Sequence, residues 1–328
     1  MAKRFLRSIV QDQVNIAAAG DIAPLDLPVN PLSFLVLTIW VEKIAWLAVS
    51  TGIVLSQCFD AIGEVSVRHR GENIIQGRLR DLCMMAAALT GYIPHVANAN
   101  GAAARTAVSF LLPFSRKPYW HEEGFPATSR GNLRFFMSVT DVSPGIGTAT
   151  DFALEACELI EDTPSRFLKY TTLTRTPAAT GRQRVPLPIG NDLLKILLFD
   201  PETEITGTEA FAWGKVKIMK DNVEQYYAES NAESLRFDLG RAIPSVRLGF
   251  GHAHGSAGGA EVSGQEVLNL ETPPNQYHLL DFDPLDDGSY ALDSRGASQL
   301  DIDVNVDSIA AAAAMRYIPV ELVQVSGK

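Results

Sequence analysis

The strongest constraint on this chain is that it repeats itself. Ala18-Ala19-Gly20 leads to Leu27-Pro28-Val29 and an apolar run from Leu32 to Val41; Ala179-Thr180-Gly181 leads to Leu187-Pro188-Ile189 and a second run from Leu193 to Phe199, at an offset of 160 residues. Two further pairs keep the same order. Leu111-Leu112-Pro113-Phe114 is answered by Leu279-Leu280-Asp281-Phe282 at an offset of 168, and Ser129-Arg130-Gly131 by Ser294-Arg295-Gly296 at 165. Small changes of offset at constant order are what loop insertions leave behind in a duplicated unit. A chain of 328 residues also exceeds one ordinary core, so two domains are expected.

The segments between these landmarks read mostly as strands. Leu35 to Val41 is aliphatic, β-branched or aromatic. Glu64 to Arg68, Leu133 to Val139, Lys215 to Met219 and Leu300 to Val306 alternate apolar and polar residues, as half-exposed strands do. Leu32 to Leu55 is the most hydrophobic region, but Glu42 and Lys43 interrupt it. A membrane-spanning helix needs about 20 apolar residues in a row, so two buried strands are expected there instead. In residues 72–90, Ile75, Leu79, Leu82 and Ala86 recur at three and four, Asn73 is placed to cap and Gly91 to close, which predicts a helix. Asp221 to Arg236 is expected to be its counterpart. Residues 1–13 carry Lys3, Arg4 and Arg7, lack a clean apolar run because of Gln11, Asp12 and Gln13, and read as a basic amino-terminal arm rather than a secretory leader.

Each half is then about 160 residues of short strands with one helix, and strand-rich units of that size close on themselves to protect their edges. The expected fold is mainly β, with two tandem eight-stranded jelly-roll β-barrels, each with one short helix. The expected boundaries are an arm at 1–13, a first barrel at 14–162 and a second at 163–328.

Chemistry-bearing constellations are few. Net charge is −10, which disfavours a nucleic-acid-coating surface, and three dispersed cysteines (Cys58, Cys83, Cys157) make neither a disulfide framework nor a zinc cluster. His252 and His254 lie two apart, as do metal ligands on a strand of cupin-type jelly rolls. Six residues then separate His254 from Glu261, rather than the three or four of that pattern, and the surroundings are Gly- and Ala-rich. A two-domain cupin-type metalloenzyme or sugar-binding protein using this pair is the alternative reading. Gly249, Gly251 and Gly255 do not open a helix and so offer phosphates no helix terminus. Asp281, Asp283, Asp286 and Asp287 before Gly288 form an acidic turn that could serve Ca²⁺, although the spacing matches no EF-hand loop. Trp120-His121-Glu122-Glu123 reads as a contact loop.

The Ala18-Ala19-Gly20 turn, the Leu27-Pro28-Val29 strand entrance, its second copy at Leu187-Pro188-Ile189-Gly190 and the alternating Leu300-Asp301-Ile302-Asp303-Val304 strand resemble the double jelly-roll major capsid proteins of tailless icosahedral viruses with an internal membrane. The compact members in corticoviruses and finnlakeviruses are the nearest in pattern. The resemblance implies a structural, non-enzymatic bacteriophage coat protein of the virion, made in the host cytoplasm. It implies homotrimers of pseudo-hexagonal outline, tiling a shell around an internal lipid membrane. Partners would be further copies of the chain, minor capsid, penton or spike proteins and the membrane, with no specific nucleic acid. Lys3, Arg4 and Arg7 would face lipid or a partner, Ca²⁺ could sit at subunit contacts through the acidic turn, and Gly249 to Gly264, which departs from the compact members, would form an outer tower loop.

Overall fold

The computed structural model describes residues 3–43, 58–97, 105–143, 147–177, 179–200, 212–243, 276–307 and 314–325. The first half contains β1 (Arg4–Asn15), β2 (Gly20–Asp21), β3 (Leu25–Asp26), β4 (Leu32–Lys43), β5 (Ile62–His69), β6 (Glu72–Arg78), α1 (Leu79–Thr90), β7 (His95–Ala97), β8 (Arg105–Pro113), β9 (Leu133–Val139) and β10 (Gly147–Ile160). The second half contains β11 (Arg166–Thr171), β12 (Leu173–Arg175), β13 (Gly181–Pro186), β14 (Asp192–Phe199), β15 (Lys215–Lys220), β16 (Val223–Glu224), β17 (Ser230–Asn231), α2 (Ala232–Ala242), β18 (Tyr277–Asp281), β19 (Leu292–Asp293), β20 (Leu300–Val306) and β21 (Met315–Gln324).

Both halves are jelly rolls of two facing sheets. In the first, β1-β10-β4-β8-β7 opposes a sheet ordered β6-β5-β9-β2; in the second, β11-β21-β14-β18 opposes β13-β20-β15-β16. Inward residues of β4 alternate strictly: Leu35, Leu37 and Ile39 are fully buried in the first core, and Ile196 and Leu198 of β14 do the same in the second. This is the period-two signature of a strand with one face on a core.

The duplication holds at the level of single hydrogen bonds. Leu27 N–H donates to Leu133 C=O at 3.0 Å and Leu187 N–H to Leu300 C=O at 2.9 Å. Phe114 N–H donates to Ser33 C=O and Phe282 N–H to Leu194 C=O, both at 2.9 Å. Asn30 and Asn191 donate from Nδ2 to Glu158 and Glu321, both at 2.7 Å. The hairpin after β5 turns at Arg70 and Gly71 (φ 52° and 89°), and that after β15 at Asp221 and Asn222 (φ 50° and 65°). Two successive positive φ values give a turn whose twist matches that of the flanking strands.

Three sequence expectations are corrected. Residues 4–13 of the expected arm are strand, because β1 pairs antiparallel with β10 from Arg4↔Ile160 to Asn15↔Asp151, so the first barrel begins with β1 rather than at residue 14. Residues 72–78 are strand, held by β5 on one edge and β11 on the other, and only Leu79–Thr90 is helical. Gly91 does close it, with φ 67°. The second helix starts at Ala232, not Asp221, because Asp221-Asn222 is the hairpin turn. The strands expected within Ile44 to Leu55 lie outside the described residues. No described helix is long and apolar enough to cross a membrane.

Candidate interaction surface

The two barrels are joined by a strand. β11 pairs antiparallel with β21 of its own barrel and parallel with β6 of the first, Tyr170 opposite Ile75 and Thr171 opposite Gln76. One sheet of each barrel therefore merges into an 11-stranded sheet. The outward face of the second barrel supplies Leu197, Phe199, Tyr277, Leu279, Ile318, Val320 and Leu322, all buried in one cluster with the first barrel's core and α1. This is a large apolar contact of the kind that holds domains rigidly.

Charged side chains lock the same junction. Asp81, in the first turn of α1 and fully buried, accepts from Arg316 Nε and Nη2 at 2.8 Å each and from Tyr277 Oη at 2.6 Å. The Arg316 guanidinium lies 3.6 Å over the Phe199 ring. Burial acts against the Arg316 charge, but the hydrogen bonds and charges of Asp81 and Tyr277 together outweigh it and raise its pKa; burial, then the Asp81 charge, push the Tyr277 phenol well above its ordinary value.

A second lock uses Arg116, just beyond β8. It is 1% exposed, donates to Glu123 from Nε at 3.0 Å and also from Nη2, and reaches Asp283 of the second half from Nη1 at 2.5 Å. Burial opposes the charge, the hydrogen bonds and charges of Glu123 and Asp283 together exceed it, and the Arg116 pKa is raised. Asp283 Oδ1 accepts from Gly288 N–H at 2.7 Å. Arg116, Lys117 and Arg166 surround the Trp120 ring at 5.3–5.5 Å. The contact loop expected at Trp120 to Glu123 thus makes its contacts within the chain.

The acidic turn is committed to cations already present. Asp281 and Asp286 both meet Lys195 Nζ (3.3 and 3.2 Å), Asp281 also meets Arg241 at 2.7 Å, Asp283 meets Arg116, and Asp287 accepts from Ser289 N–H at 2.8 Å. The four carboxylates do not converge, and the described residues contain no group of three His, Cys, Asp or Glu able to hold a metal. A hard cation needs several oxygens aimed at one point, and within one chain these carboxylates are instead shared among Lys195, Arg241, Arg116 and the Ser289 amide. Arg7, on β1, meets Glu155 at 2.5 Å, and Lys3, just before β1, lies 4.0 Å from Asp162. His252, His254 and Gly249 to Gly264 lie outside the described residues.

Sequence reading missed β1 and the two locks. A signal for β1 existed: Arg4-Phe5-Leu6 recurs as Arg166-Phe167-Leu168, one residue out of the structural register in which Leu6 faces Glu158 and Lys169 faces Glu321, and β1 and β11 open their respective barrels. The locks join residues up to 235 positions apart, which no local pattern reveals.

No protein-family model matches the chain, and no curated protein matches it. Solved structures do. The chain is similar to the STIV MCP (TM-score 0.66, 11% identity, 98% of this chain and 97% of that one). It is similar to the major capsid protein P2 from Bacteriophage PM2 (TM-score 0.61, 11% identity, 98% of both chains). It is also similar to the PBCV-1 virus capsid (TM-score 0.55, 10% identity, 98% and 94%). The fold is the double jelly roll of these proteins over nearly the whole chain.

Proposed function

We propose that this protein is a structural major capsid protein. The observation that carries the reading is the double jelly roll itself, matched end to end with viral capsid proteins and locked as one body by buried Arg116 and Asp81. It acts without catalysis, by presenting large lateral surfaces to copies of itself. Three chains would supply six barrels and a pseudo-hexagonal capsomer, since closed symmetry turns modest contacts into a shell. An internal lipid membrane beneath the shell, contacts with penton, spike or minor capsid proteins, and synthesis in the host cytoplasm belong to the same reading.

Light scattering on the purified protein tests it. The expected particle has three times the 35.6 kDa of one chain. A stable 35.6 kDa monomer at micromolar concentration would overturn the assignment.

A further inference from the structure

One corner occurs in both barrels but carries opposite charge in the two. In the hairpin after β5, Arg70 N–H donates to Asn132 C=O; in the hairpin after β15, Asp221 N–H donates to Gln299 C=O. Arg70 and Asp221 share a positive φ, 52° and 50°, and are equivalent, as are His69 and Lys220 before them. Leu32 and Leu193, each one residue before a matched carbonyl, pair with Phe125 and Leu292. The repeated Ser-Arg-Gly turn then follows at Ser129 and at Ser294. Pro126-Ala127-Thr128 therefore stands in the first barrel where the second has Asp293 alone.

In the second barrel the charges of this corner are answered within the chain. Arg295 meets Asp192 and Asp293 at 3.2 and 2.9 Å, and Lys220 Nζ donates to Asp293 C=O at 2.6 Å. Asp221 Oδ1 accepts from Ser298 Oγ at 2.6 Å and from Gln299 N–H at 3.0 Å. In the first barrel, Pro31, Arg70 and the Pro-Ala-Thr insertion replace these three carboxylates. Arg70, and Arg130 as the equivalent of Arg295, are exposed and have no ion-pair partner among the described residues. Two acids on neighbouring strands are already taken: Glu72 meets Lys169 at 2.6 Å and Asp26 meets Arg134 at 3.0 Å.

A pocket of about 310 Å³ lies between the hairpin and the longer loop, lined by His69, Arg70, Phe125, Thr128 and Ser129, with no carboxylate among the described residues. His69 is held in place. Its ring stands edge-on to buried Phe125, centroids 5.3 Å apart, and its Nε2 is 3.3 Å from Thr128 Oγ1. Burial, then the Arg70 charge, lower the His69 pKa, and Glu72 opposes them. An anion between Arg70 and His69 relieves that repulsion.

We infer that this pocket binds a phosphate group, either as inorganic phosphate or as the phosphate of a lipid headgroup. Arg70 supplies the charge and a planar fork of donors, which suits phosphate oxygens. His69, Thr128 and Ser129 supply further donors, and Phe125 an apolar floor. The volume is at the small end of the about 300–1,000 Å³ of small-molecule sites, which leaves room beside a phosphate for a few carbon atoms. The site lies within one chain and does not rest on the capsid reading.

Two probes test it on the full-length protein at constant ionic strength: calorimetric titration with inorganic phosphate, and flotation with phosphatidylglycerol vesicles against phosphatidylcholine vesicles as the blank. The expected result is saturable binding to at least one probe. Arg70→Gln should weaken it about tenfold or more, the loss expected for a charge-assisted hydrogen bond. Arg295→Gln, at the same corner of the second barrel, should leave it unchanged. Titration without flotation identifies free phosphate as the source, and flotation without titration identifies the headgroup; each supports the site. Silence of both probes would overturn the inference, as would binding that survives Arg70→Gln or acetate titrating as tightly as phosphate. Light scattering on the same samples separates the two readings. A monomer that binds phosphate would overturn the capsid reading alone, and a trimer that binds neither probe would overturn this inference alone.

Discussion

Replacing Asp81 by asparagine removes the charge on which the α1 side of the barrel junction depends. The carboxylate receives two hydrogen bonds from Arg316 and one from Tyr277, all at 2.6–2.8 Å and away from water. Asparagine keeps the shape but offers one acceptor oxygen and an amide that faces donors. Arg316, whose side chain is 10% exposed, is left with its charge uncompensated. Removing one partner of a buried ion pair costs about 3–5 kcal/mol. Unfolding entropy of about 2.1 cal/mol/K per residue over 328 residues converts that to a fall in Tm of about 4–7 °C. Calorimetry on Asp81→Asn measures the shift directly. Asp81→Leu with Arg316→Met should recover most of it, because well-packed apolar replacements of a buried pair are often neutral. A single-variant loss under about 1 kcal/mol, or a double variant worse than the single, would refute the claim that this pair locks the barrels.

Three further outcomes follow from the same structure. Burial raises the thiol pKa of Cys83 to about 12 and of Cys157 to about 11, and raises Cys58 further; native protein should leave a thiol reagent unconsumed at pH 8, and denatured protein should react at three sites. Hydrogen bonds from Ser298, then from Gln299 N–H, lower the Asp221 pKa below its ordinary 3.8. Its contribution is present above the unfolded value and lost as pH falls through the folded one, so the urea midpoint gap between wild type and Asp221→Ala should be full at pH 7 and shrink below pH 3.8. Leu37→Ala, at a fully buried position of the first core, should cost about 2–5 kcal/mol by urea unfolding without changing far-ultraviolet dichroism.

The duplicated architecture was legible because its landmarks are local. The Leu-Pro entrances end in buried Leu27 and Leu187 making the same backbone bond, and the Ser-Arg-Gly turns place Gly131 and Gly296 at φ 79° and 73°. The first helix was read too early because Ile74, Ile75 and Leu79 happen to fit a helical spacing, whereas Ile75 is fixed by strands on both sides. The second was read too early although Asp221-Asn222 is a favoured pair for a tight hairpin. β1 looked like an arm because its partner, β10, lies more than 130 residues away and its own polar residues break the apolar run. Sequence shows the carboxylates of the acidic turn but not Lys195, Arg241 and Arg116, which pair with Asp281, Asp283 and Asp286. Long-range charge pairing of this kind is set by topology, not by neighbours in sequence.

The central claim, that this double jelly roll builds a capsid by closing on copies of itself, is tested most directly by electron microscopy of the purified protein. Averaged top views should show a hexagonal outline with six densities, two from each of three chains. Isolated two-lobed particles, persisting at micromolar concentration, would contradict it.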